Sequence, residues 1–260
     1  MVGVDPTARF AAEVVRDDPS LEVIAAAIAG CDHDLDPGDL TADLDTLAAR
    51  VPRPDAAALC RTLFGEGGLE GNVEHYDDPR NSFVDLVLRR RLGIPISLSV
   101  IAVEVGRRVG VPLVGVGMPG HFIVREETDA TVFYDPFVGG MALSVEDCER
   151  RFSQLHGPSA RFDASYLEPT PPVRIAERML ANLTRGYLDR MDRSSLAWVL
   201  RLRCALPDAD ASVVRQFAGV LSHLGRWWEA ADAFDRLAAL QPDRADAHLA
   251  AAHRLRAHAN

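Results

Sequence analysis

Residues Tyr76–Arg125 read YDDPRNSFVDLVLRRRLGIPISLSVIAVEVGRRVGVPLVGVGMPGHFIVR, and Phe133–Gly140 then read FYDPFVGG. This stretch places Ser97 at the start of an apolar helix, His121 at the entry to a strand and Asp135 at the end of a strand. Nucleophile, base and orienting carboxylate follow in that order in cysteine–histidine–aspartate enzymes. The stretch contains no cysteine. Whether the chain does chemistry therefore turns on what Ser97 does.

The local pattern is helix, helix, strands. Ser82-Phe83-Val84-Asp85 resembles a capping box and predicts a helix running to about Leu92. Gly93 is then a left-handed stop, with Pro95 behind it. A second helix is expected over 96–109, apolar on nearly all sides and therefore buried, with Gly110 ending it. Leu113–Gly117, Phe122–Arg125 and Thr131–Tyr134 are rich in β-branched and aromatic residues and predict strands, the last two joined as a hairpin across 126–130.

Ser97 falls in the first turn of the buried helix, where outward amides and the helix dipole stabilise an anion. Serine needs a base in contact, because its hydroxyl pKa is too high for the dipole alone. Ser97 and Ser99 equally suit helix caps, and the residues alone favour capping. Met118-Pro119-Gly120 fixes an unusual backbone before His121 and leaves room beside the ring. Asp135 either orients that ring or opens the Asp-Pro turn. Arg80 and Asn81 join Ser99 and Gly120 as candidate cleft residues, Arg80 as a carboxylate binder and Asn81 as a polar donor. His75, Asp77 and Asp78 lack a fourth ligand at metal spacing, so no metal or cofactor is expected.

Outward from this stretch the chain is helical. Helices are expected within residues 1–64, the first opened by Asp5 as cap with Pro6 in its first turn and the others at 21–29, 40–51 and 56–64, before a glycine-rich loop at 65–72. The core is expected over 65–168, with one more short helix at 145–153. Pro169–Pro172 (PTPP) marks a boundary. Five helices follow within 173–260, at 175–191, 195–204, 212–224, 227–240 and 245–258. Leu224-Gly225-Arg226-Trp227-Trp228-Glu229-Ala230, with Phe234, Leu240 and Pro242, resembles the second half of a tetratricopeptide repeat.

The 260 residues carry a formal charge of −10 from 28 basic and 38 acidic side chains, and every basic one is arginine. The acidic balance argues against nucleic acid or an anionic membrane as partner. Arg89-Arg90-Arg91 is a local basic run, read as the solvated end of a helix. The start, MVGVDPTARF, lacks a basic region followed by an apolar core, and no apolar run has the length of a membrane span. Cys31, Cys60, Cys148 and Cys204 are scattered, with no Cys-x-x-Cys pair. Reduced thiols and a cytoplasmic location are expected.

Four segments in order carry a family resemblance: Asp78-Pro79-Arg80-Asn81-Ser82, Gly93-Ile94-Pro95-Ile96-Ser97-Leu98-Ser99, Pro119-Gly120-His121-Phe122 and Asp135-Pro136-Phe137-x-Gly139-Gly140. They resemble the SirB-like proteins, a transglutaminase-type core followed by tetratricopeptide-like helices. The resemblance implies a papain-like α+β fold in which a central helix packs on an antiparallel sheet. It places Ser97 nearest the position of the nucleophilic cysteine, with Pro95 or Ser99 as alternatives, and matches His121 and Asp135 to the histidine and aspartate. Two functions follow as expectations. One is a non-catalytic module that binds a protein or peptide through the cleft or the tail. The other is an amide or ester hydrolase using Ser97, His121 and Asp135.

Overall fold

The computed structural model describes residues 4–259, and its first four helices begin on caps that their sequences supply. Helix α1 (Pro6–Glu13) starts on Asp5, whose carboxylate accepts from the Ala8 amide. Ser20 caps α2 (Leu21–Gly30), Asp36 caps α3 (Pro37–Ala48) and Asp55 caps α4 (Ala56–Phe64). Each cap satisfies amides that the first turn leaves without an intrahelical partner.

The centre differs from the expected pattern in two places. Residues Pro79–Ser82 form a 3-10 turn, and Phe83 rather than Ser82 precedes α5 (Val84–Arg90), with no side-chain cap. The Asp85 carboxylate is drawn elsewhere, to His33 Nε2 at 2.8 Å and Arg89 Nη2 at 2.5 Å. The left-handed residue that ends α5 is Arg91, with φ of 60°, not Gly93. Gly93 belongs instead to a two-residue strand, β2 (Leu92–Gly93), paired in parallel with β1 (Glu70–Gly71) inside the expected loop. A side chain at Gly93 would meet Val87 at 2.9 Å and Leu98 at 3.0 Å, so close packing is what demands glycine there.

Helix α6 (Pro95–Val109) is the centre of the fold. It ends at Gly110 in the left-handed region. It packs against β3 (Leu113–Val116) and β4 (Ile123–Glu126), and also against α2, α3, α4 and α5. Contact with so many elements explains why it is apolar nearly all round, with Leu98, Ile101, Ala102 and Val105 fully enclosed. At its far end Glu104, Arg107 and Arg108 join Glu22 and Asp45 in an ion-pair network tying α6 to α2 and α3.

The sheet is antiparallel in the order β3-β4-β5-β6, with β5 at Phe133–Asp135 and β6 at Met141–Leu143. Strand β6, too short and exposed to show a pattern, pairs Asp135 with Met141. Helix α7 (Val145–His156) lays Cys148 and Phe152 on a core of Val116, Met118, Ile123, Phe133 and Leu143. Helix and antiparallel sheet together make the α+β core.

Beyond it come α8 (Pro172–Asp189), α9 (Arg193–Ala205), α10 (Ala211–His223), α11 (Trp227–Leu240) and α12 (Ala245–His258). Successive members from α9 to α12 pack on one another and are joined by short connections, and α1 packs on α9. The chain divides into two compact units, residues 19–179 and residues 4–18 with 180–259. The expected boundary at residue 64 falls inside the first unit. Among the described residues no helix is long and apolar enough to cross a membrane.

Candidate functional site

His121 closes a tight turn. Its amide donates to the Met118 carbonyl at 3.2 Å, with Pro119 and Gly120 between and Gly120 at φ +75°. Proline followed by left-handed glycine is the type II turn pattern. Two side chains hold this turn from outside. Arg178 of α8 donates through Nη2 to the carbonyls of Met118 (3.0 Å) and His121 (2.9 Å), with its guanidinium 5.0 Å over the Phe122 ring. Burial presses the Arg178 pKa down, partly offset by the Tyr76 charge. His156 Nε2 lies 3.0 Å from the Pro119 carbonyl.

The imidazole itself is bound at Nε2. Asp135 Oδ2 lies 2.8 Å from that nitrogen, and Asp135 is fully enclosed. Its other oxygen accepts from the Phe137 amide at 3.0 Å, as an Asp-Pro turn requires. Thus both readings of Asp135, orienter and turn opener, describe one carboxylate. Arg151 of α7 pairs with the same Oδ2 and stands 3.0 Å from His121 Nε2. A neutral ring nitrogen either donates or accepts. A proton on Nε2 lets both His121 and Arg151 donate to the acceptor-only carboxylate, so this tautomer satisfies all three groups. Nδ1 is then the basic nitrogen. It makes no hydrogen bond among the described residues and is not one of the fully enclosed unpartnered atoms. Phe137 stands edge-on to His121, with centroids 6.4 Å apart, and Tyr76 edge-on to Phe137 at 6.0 Å.

Ser97 is not joined to this pair by a hydrogen bond. It is fully buried. Its Oγ donates to the Asn81 carbonyl at 2.6 Å, with the Ile94 carbonyl at 3.1 Å, and accepts from the Ile94 amide at 3.1 Å. Ser97 is the third residue of α6 and Ile94 its N-cap, so the serine reaches back as the acid of a capping box does. Ser99 Oγ is also fully buried and makes no hydrogen bond among the described residues.

The other candidates hold the Asn72–Ser82 segment in shape. Asn81 is fully enclosed. Its Nδ2 donates to the carbonyls of His75 (2.7 Å) and Tyr76 (3.1 Å), while Oδ1 accepts from Asn72 and Arg90. Arg80 is turned out to solvent and spends its donors on Asp78. Burial would raise the Asp78 pKa, but the bonds and charge of Arg80 and the charge of Arg90 outweigh it and hold the carboxyl low. Around His75, Asp77 and Asp78, as elsewhere among the described residues, no three acidic, histidine or cysteine side chains gather as a metal site would. Burial drives the Cys60 thiol up to about 12 and the Cys148 thiol up to about 11, far from the thiolate form at neutral pH.

A sequence profile of the transglutaminase-like superfamily matches residues 37–181. The chain belongs to that superfamily. It is homologous to UPF0162 proteins. One from Xylella fastidiosa (strain Temecula1) is 47% identical over 145 residues, covering 54% of this chain and 52% of that protein. One from Vibrio cholerae is 32% identical over 165 residues, covering 63% and 59%. Mouse F-box only protein 21 is 30% identical over 184 residues, covering 66% of this chain and 28% of that protein. The chain spans about half the length of the curated relatives it matches first. No solved structure matches it.

Two polar residues of this superfamily member escape the sequence reading, Arg151 and Arg178. The signal for each is the same. Arg151 lies three residues after the buried Cys148, and Arg178 three after the buried Ile175. An arginine on the inward stripe of an amphipathic helix must find an acceptor. Which acceptor it finds is set by the tertiary fold.

Proposed function

We propose that this chain is a SirB-like member of the superfamily that binds a protein or peptide and does not use Ser97 for acyl transfer. The observation that carries the reading is the enclosure of the Ser97 hydroxyl, whose single proton goes to the Asn81 carbonyl. A nucleophile must reach both its base and its substrate. The high pKa values of Cys60 and Cys148 support the same reading. The His121 side of the core offers a partner a ring acceptor at Nδ1 and the edges of Phe137 and Tyr76. The tail supports a tetratricopeptide-like surface through its successive helix pairs and the Leu224–Ala230 segment.

The competing reading, a hydrolase with Ser97, His121 and Asp135, draws on the 2.8 Å His121–Asp135 bond. One experiment separates them. The intact protein carrying a photo-cross-linking residue at Tyr76, or in a second preparation at Trp228, is irradiated in extract and also treated with fluorophosphonate probes. Cross-linking of one defined protein, competed by excess unmodified chain and without fluorophosphonate labelling, is the expected result. Labelling that Ser97→Ala and His121→Ala both abolish would replace the binding reading with the hydrolase.

A further inference from the structure

The His121 site makes no use of the basic run Arg89-Arg90-Arg91. Two of its members line a cavity of about 290 Å³ together with Arg50, which follows the end of α3. The cavity lies among α3, α4, the turn before β1 and the end of α5, all within the first compact unit. Leu63 and Leu88 supply apolar lining, and Asp43 is the one acid.

The three guanidinium groups are differently committed. Arg89 gives one nitrogen to Asp85, and Arg91 gives one to the Gly67 carbonyl. Each anchor holds the side chain and leaves most of its five N–H donors free. The Arg50 guanidinium has no hydrogen-bond or ion-pair partner among the described residues, its amide alone donating to the Leu47 carbonyl. Like charges gathered at one cavity repel one another unless an anion joins them. Three arginines meet here against Asp43 in the lining and, through Arg89, Asp85 behind it. A carboxylate offers two acceptor oxygens to three guanidinium forks. A phosphoryl group carries about −1.5 to −2 at neutral pH and offers three acceptor oxygens, and arginine forks match that geometry.

We propose that this cavity binds a small phosphorylated ligand, with its phosphoryl dianion held by Arg50, Arg89 and Arg91. The volume admits a phosphate with a small organic body, at the lower end of the size of ligand pockets. The site shares no residue with the His121 constellation and stands whether or not the peptide-binding reading does.

The test is calorimetric titration of the intact protein with inorganic phosphate and, separately, with glycerol 3-phosphate, at fixed ionic strength. Saturable binding at one site per chain is expected, and whichever probe binds tighter tells a free anion from a phosphate ester. Arg50→Gln, which breaks no bond within the protein, should weaken binding about tenfold or more, the loss expected from one charge-assisted contact. Asp43→Asn should tighten it, and His121→Ala should leave it unchanged. Binding should also weaken below about pH 6, where the dianion takes up a proton. Failure of both probes to saturate at millimolar concentration would overturn the proposal. So would equal binding by wild type and Arg50→Gln.

Discussion

The Ser97 hydroxyl and the Asn81 carbonyl, sixteen residues apart in sequence, are joined by a 2.6 Å hydrogen bond in a fully buried setting. The serine ties the 3-10 turn at Pro79–Ser82 to the first turn of α6. Ser97→Ala would strand the Asn81 carbonyl and the Ile94 amide, and each enclosed unpaired group costs about 1–3 kcal/mol. A lower urea midpoint with unchanged slope is expected. A midpoint equal to wild type would show that the bond does not hold the turn.

Asp135 serves His121, Arg151 and the Phe137 amide at once. Asp135→Asn keeps the shape and removes the charge. It should cost on the order of 3 kcal/mol, because Arg151 loses its carboxylate partner. In the wild type the His121 Nε2 proton should give a slowly exchanging, downfield NMR signal that vanishes in Asp135→Asn. A signal correlated with Nδ1 instead would refute the tautomer assigned here.

The thiols should differ sharply in reactivity. Cys31 is partly exposed, whereas Cys60, Cys148 and Cys204 are buried. Burial raises all three buried thiols, Cys60 to about 12 and Cys148 to about 11. Iodoacetamide at pH 8 should modify Cys31 alone in folded protein and all four in urea. Peptide mass mapping reads the result, and rapid native modification of Cys148 would contradict its enclosure.

Glu22 sets an acid limit on stability. Burial would raise its pKa, but hydrogen bonds from Thr41 and Arg108 and the charges of Arg108 and Arg107 outweigh it and hold the carboxyl low. A lowered folded-state pKa adds stability above the unfolded value, about 4.3 for glutamate, and that stability is lost as pH falls through the folded one. Glu22→Gln should therefore lower the melting temperature at pH 7, with the gap to wild type closing below about pH 4. A gap independent of pH would mean that the ion-pair network does not supply the effect.

Much of the fold is legible in local sequence. The expected spans for α4, α11 and α12 coincide with the observed ones, since caps, glycines and apolar spacing are all short-range signals. What escaped was non-local. The β1–β2 pair joins Glu70 to Leu92, directly after the left-handed Arg91 that ends α5. His121 and Asp135 stand out because a turn and a strand end announce them. Ser97 could be read from sequence as cap or nucleophile, since both need the same first turn. Its bond to Asn81 spans two elements and needs the fold to be seen.

The turn carrying His121 is held by Arg178 and His156, and its ring is flanked by Arg151, all of which follow it in the chain. Synthesis runs from the N-terminus, so the sheet strands are made, and emerge, ahead of each of these clamps. A nascent chain ending ahead of α7 would contain every strand of the sheet and still leave its histidine turn unfastened. The site is thereby completed late in translation, after its own scaffold.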